Sequence, residues 1–96
     1  MLPTIVSVLG VEFSVEYSDL SNDNLCGDSC IDKRLIRVST HLTNDMMRST
    51  LFHECIHMAL AVGGVNQLFN GKVEEAIVRC LEHAFSDWLG VWEEAE

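Results

Sequence analysis

Residues 43–64 read TNDMMRSTLFHECIHMALAVGG, and this stretch decides how the rest of the chain is arranged. Thr43 or Asn44 can cap free N–H groups, and Asp45 suits the positive end of a helix. Apolar residues dominate from Met47 to Ala61, and Gly63-Gly64 is a stop signal. The segment is therefore expected to form a central helix of about five turns. Its middle carries His53-Glu54-Cys55-Ile56-His57, an H-E-x-x-H pattern. Positions i and i+4 lie one above the other on a helix face. Two imidazoles so placed can bind one Zn²⁺, and Glu54 can act on a water held there.

Upstream, Thr4–Leu9 and Val11–Tyr17 are rich in Val, Ile, Phe and Tyr. Val11, Phe13, Val15 and Tyr17 alternate with Glu12, Ser14 and Glu16, which is the period of a half-buried strand. Gly10 marks a turn or bulge between the runs. Asp19–Asn24 is turn chemistry. Leu25–Asp32 and Arg34–Ser39 follow as a second strand pair, with Asp32-Lys33 as a tight turn. The first forty residues thus predict a small antiparallel sheet with Leu35–Ser39 at its edge.

Downstream of Gly64, Val65–Gly71 reads as a loop with Leu68 and Phe69 tucked inward. A second helix is expected from Lys72 to Trp92. Val73, Ile77, Cys80, Leu81, Ala84, Phe85 and Trp88 recur on it with a 3.6-residue period. Trp88 and Trp92 are expected to pack on or cover the core, and Glu93–Glu96 to form an acidic tail. The chain is therefore expected to be one α+β domain spanning residues 1–96. Its layout is a small antiparallel N-terminal sheet, an H-E-x-x-H helix and a second, C-terminal helix.

The 96 residues are 48% hydrophobic and 22% charged, which favours a folded globule over disorder. Fifteen acidic against six basic residues leave a formal charge of −9. That balance argues against nucleic acid or an anionic membrane surface as partner, and suits a cation. No apolar run is long enough to span a bilayer. The start lacks the basic residues and cleavage site of a signal peptide, so a reducing cytoplasm is expected. Cys55 and Cys80 lie inside helical patterns and read as buried free thiols, whereas Cys26 and Cys30 have the spacing of a weak metal or disulfide pair.

Two histidines are an incomplete zinc site, since a catalytic one has three protein ligands and an open position. Glu74, Glu75, Glu82, His83 and Asp87 are the downstream candidates. On a helical wheel, the apolar stripe of the second helix centres between Ile77, Leu81, Ala84 and Trp88. Glu74 falls about 50° from that centre and Glu75 about 150° from it. A carboxylate on a buried stripe needs a partner, so His53, His57 and Glu74 are the expected ligands of one Zn²⁺, with Glu75 the alternative to Glu74. His83 falls between the polar and apolar faces and reads as structural.

A short sheet, a helix with His53-Glu54-x-x-His57 and a glutamate early in the next apolar helix together resemble the gluzincin metallopeptidases. The small intracellular ImmA/IrrE-like and phage-encoded zinc peptidases are similar in size and order. The likeness covers residues 34–90 and implies a minimal zincin-like fold. Ile77, Leu81 and Phe85 stand where that family has apolar residues after its ligand glutamate. Val78 replaces the usual Asn or Asp at i+4. The metzincin pattern fails, because Leu60 and Gly63 occupy the positions of its glycine and third histidine.

The resemblance implies a zinc peptidase, in the host cytoplasm if phage-encoded, acting on a protein or peptide. Glu54 would be the general base, and the Leu35–Ser39 edge would pair with an extended substrate. So short a chain leaves a shallow cleft that calls for a partner protein, a second copy of the chain or a very specific target. His41, after the expected edge strand, and Tyr17 are the candidates for stabilising the oxyanion. The alternative is a non-catalytic metal-binding regulatory or interaction module, with His83 or a cysteine closing the site.

Overall fold

The computed structural model describes the backbone of residues 2–95 and the side chains of residues 2–84. Four strands precede two helices: β1 (Ile5–Val8), β2 (Val11–Ser18), β3 (Gly27–Cys30), β4 (Leu35–Ser39), α1 (Asn44–Val62) and α2 (Gly71–Ala95). Single 3-10 turns lie at Ser21–Asp23 and Val65–Leu68. The α+β layout expected of the sequence is present. Phe85, Trp88 and Trp92, expected on the apolar stripe or over the core, have side chains outside the described residues, as does Asp87.

β2 shows the expected alternation, with Phe13 and Val15 buried and Glu12, Ser14 and Glu16 exposed. Leu9 and Gly10 join it to β1. Both have positive φ, 49° and 82°, and Val8 pairs with Val11. A two-residue hairpin loop of this hand is the type that matches strand twist, and glycine fits its second position.

The sheet order is β1-β2-β4-β3. β2 pairs with β1 antiparallel and with β4 parallel, and β3 pairs with β4 antiparallel. The sheet is therefore mixed rather than wholly antiparallel, and Leu35–Ser39 is an internal strand rather than an edge. Burial explains the placement. Ile36, Val38 and Ser39 have no exposed surface, so β4 takes the site with a strand on either side and a helix above. β3, of sequence Gly-Asp-Ser-Cys, becomes the edge; a short polar strand tolerates that position best.

α1 lies between the sheet and α2, packing on β3, β4 and β1 as well as on α2. Its ends fall where the sequence indicated. Thr43 Oγ1 accepts from the Met46 N–H at 3.2 Å, and the Gly63 N–H donates to Ala59 O at 3.0 Å. Leu51 and Met58 join Val8, Phe13, Val15, Ile36 and Val38 in one core cluster. Among the described side chains of α2, Val78 is the fully buried one. Leu68, expected inside, is 79% exposed, because its 3-10 turn points it to solvent.

Gly27 sets how closely β3 approaches α1. A Cβ there would sit 2.6 Å from the Arg37 carbonyl oxygen and 2.7 Å from Thr50 Cγ2. Only glycine lets the start of β3 close against the helix turn that precedes His53. No described helix is long and apolar enough to cross a membrane.

Candidate metal centre

The helical backbone of α1 stacks His53 on His57, with ring centroids 4.9 Å apart. α2 runs back along the same side of α1, bringing carboxylates to both rings. Glu82 Oε2 lies 2.9 Å from His53 Nδ1, and Glu74 Oε2 lies 2.7 Å from His57 Nδ1. The Nε2 atoms turn toward each other at 3.2 Å. Glu75 completes the group, with Oε1 at 3.1 Å from His53 Nε2 and Oε2 at 3.1 Å from His57 Nε2. The ligand-capable atoms of His53, His57 and Glu75 all lie within 4.8 Å of one another.

Donor and acceptor accounting gives this cluster its meaning. An ionised carboxylate only accepts, so each Nδ1 facing one must donate. In a neutral imidazole the Nε2 is then a lone pair. Two lone pairs and the Glu75 carboxylate would face one another at about van der Waals distance, all of them acceptors. Such a group needs positive charge at its centre, supplied by imidazolium protons or by a metal ion. The donor set suits Zn²⁺. Ligands at about 2.0–2.1 Å on a tetrahedron stand about 3.3 Å apart, close to the separations observed.

Glu74, expected at the metal, faces Nδ1 of His57, on the far side of the ring from the cluster; Glu75 faces both Nε2 atoms. The cause is rotation of α2. Its covered residues are Glu74, Glu75, Ile77, Val78, Leu81 and Glu82, a face centred on Val78. That face is turned by roughly 90° from the stripe drawn through Ile77, Leu81, Ala84 and Trp88. Glu74 keeps a place on it, as the hydrogen-bond partner that orients a ring. Such partners fix the tautomer and raise the basicity of the donor nitrogen. Glu82 takes the same role for His53, which the sequence reading did not foresee. Its signal was the i+7 spacing from Glu75, which puts both glutamates on one face of the helix.

Glu54 points from α1 toward β3. It is 9% exposed and its Oε1 accepts from Ser29 Oγ at 2.6 Å. A cleft of about 490 Å³ opens beside it, lined by Cys26 and Gly27 at the start of β3, by Thr50, His53 and Glu54 from α1 and by Glu75, Arg79 and Glu82 from α2. Tyr17 and His41 line none of it. The Tyr17 hydroxyl donates to Pro3 O, and burial pushes its pKa up, with the neighbouring Cys55 adding to the shift. His41 Nδ1 meets the buried Ser39 hydroxyl. His83 is exposed and outside the cluster. Cys26 and Cys30 are free thiols. Four residues of extended chain hold them roughly 13 Å apart, beyond the reach of a disulfide.

Comparison of the chain with protein-family models, with curated proteins and with solved structures finds no match. The functional reading therefore rests on the site itself.

Proposed function

We propose that this chain is a metal-dependent peptidase, binding one Zn²⁺ per chain through His53, His57 and Glu75 and using Glu54 as general base. The observation that carries the reading is the convergence of both Nε2 atoms and the Glu75 carboxylate while Glu74 and Glu82 occupy both Nδ1 atoms. It supports the resemblance to the gluzincin-like peptidases in chemistry, with Glu75 rather than Glu74 proposed as third ligand. When bound, the ion supplies Lewis acidity, which activates water and polarises a carbonyl.

The chain's own residues supply the rest. Glu54 takes a proton from the attacking water and returns it to the leaving amine. Ser29 holds its carboxylate in place. β3 offers the free sheet edge beside the cleft, so an extended peptide would add to β3, the role first assigned to Leu35–Ser39. A protein or peptide segment is thus the substrate class, and a reducing compartment suits four free thiols.

A second reading is a non-catalytic metal-binding module. The burial of Glu54 and its bond to Ser29 favour it, since a glutamate so placed also ties α1 to the β3 edge. The two readings separate in one experiment. Zn²⁺-loaded protein is incubated with unfolded protein and peptide libraries, and Glu54→Gln is run beside it. The peptidase reading expects cleavage by the wild type and none by Glu54→Gln, with equal zinc content. Equal cleavage by both proteins would discard the assigned base, and zinc binding without any cleavage would favour the module.

A further inference from the structure

Attack of water on a peptide carbonyl forms a C–O bond and moves the carbonyl π pair onto oxygen, as a water proton passes to Glu54. Collapse expels the amine, which takes that proton. The oxyanion formed between these steps needs a cation or strong donors in a fixed position. It would form in a cleft whose walls already hold the carboxylates of Glu54, Glu75 and Glu82. Neither Tyr17 nor His41 reaches that cleft.

Arg79 does. Among the described residues lining the cleft it is the sole permanent cation. Its Nε lies 3.4 Å from Glu75 Oε1, one helical turn along α2. That contact pins the base of the guanidinium beside the cluster. Among the described residues one of its five N–H donors is engaged, which leaves the four on the terminal nitrogens for an incoming group. As an exposed i,i+4 ion pair alone the contact would stabilise the helix by only about 0.3–0.5 kcal/mol. Its position in the cleft gives it a second use. Glu75 would neutralise part of the ion's charge, and the guanidinium restores positive potential on the side where substrate enters.

We propose that the Arg79 guanidinium, anchored on Glu75, is the group that stabilises the oxyanion in this cleft. The proposal rests on the peptidase reading above. It makes Arg79 a catalytic residue in contact with the reacting oxygen, and it assigns the role that neither histidine nor tyrosine fills here.

Binding of small probes tests it without a substrate. Co²⁺-substituted protein is titrated with methylphosphonate as tetrahedral oxyanion mimic, acetate as planar carboxylate and imidazole as neutral metal ligand. Visible absorption reads each affinity. Arg79→Ala is expected to weaken methylphosphonate by about 10- to 100-fold, the worth of a charge-assisted hydrogen bond. Acetate should weaken far less and imidazole not at all, and Arg79→Lys should recover part of the loss. Unchanged methylphosphonate affinity in Arg79→Ala would overturn the proposal while leaving the metal site standing. An equal loss for acetate would make Arg79 a carboxylate anchor instead, which also overturns it. A parallel loss of imidazole affinity would reveal a general disturbance of the centre and no oxyanion contact. Failure of the wild type to bind Co²⁺ would remove the peptidase reading itself, and the proposal with it.

Discussion

α1 and α2 face each other across the same cluster, yet they carry their functional groups in different ways. α1 holds His53, Glu54 and His57 within five residues, and its own backbone stacks the imidazoles. α2 delivers Glu74, Glu75 and Glu82 over two turns, and their roles follow from how that helix is rotated against α1. The first arrangement is local and rigid. The second depends on packing around Val78, which is fully buried. The proposed chelating pair is therefore fixed locally, while the glutamate that joins it depends on how α2 is rotated.

The sharpest way to test this contrast is to exchange the two neighbouring glutamates. Glu75→Gln is expected to abolish stoichiometric Zn²⁺ binding, measured by metal analysis after dialysis. Glu74→Gln and Glu82→Gln remove only the partners of Nδ1 and should weaken zinc by about 10- to 100-fold. If Glu74→Gln lost the metal and Glu75→Gln kept it, the rotation assigned to α2 would be wrong.

The next effect bears on the side of α1 that meets the sheet. Gly27→Ala forces a Cβ against the Arg37 backbone, which cannot yield as a flexible side chain would. Thermal unfolding should show a loss of about 1–3 kcal/mol, the usual range for overpacking. Because Gly27 also lines the cleft, the same change should disturb Glu54 before it disturbs Glu75. A smaller loss, about 1 kcal/mol, is expected when Thr43→Ala removes the α1 cap. A Thr43→Ala protein of unchanged stability would show that packing alone sets the start of α1.

Thiol chemistry gives the mildest readout of the same contrast. Burial, reinforced by the Glu54 charge, pushes the Cys55 thiol up to about 11. Cys80 on α2 is exposed. At pH 8 an aromatic disulfide reagent should label Cys80 and Cys26 quickly and Cys55 only as the protein unfolds. The sign for stability follows. The folded state keeps the Cys55 proton, so its contribution is intact below the ordinary thiol pKa of about 9. It falls as pH rises from there toward about 11. Denaturant titrations at pH 8 and pH 10 would check this, with Cys55→Ala as the variant that loses the difference.

Much of the architecture was legible because it is written in neighbouring residues. Thr43 and the Gly63-Gly64 pair mark the ends of α1, and the alternation from Val11 to Tyr17 marks β2. The acidic cluster was half legible. Glu74 and Glu75 both stand out in the sequence, but the apolar residues continue to Trp88 and tilt the expected face away from Val78. β4 reads as a strand, but its internal place in the sheet is not in its sequence, since a single strand's pattern does not say how many neighbours it has. Ser29 and Arg79 carry no motif at all; they matter because β3 brings Ser29 to Glu54 and α2 brings Arg79 to the cleft.

The sequence by itself determined the two histidines and Glu54 as a unit, because helix geometry ties residues i and i+4 together whatever surrounds them. Tertiary structure alone decided which glutamate meets Nε2, which meet Nδ1, and which strand edge borders the cleft. Those contacts join segments separated by many residues, and their geometry is set by the docking of α2 and of the sheet on α1. No local propensity encodes an interhelical rotation, and a rotation of roughly 90° is enough to exchange a ligand for its support.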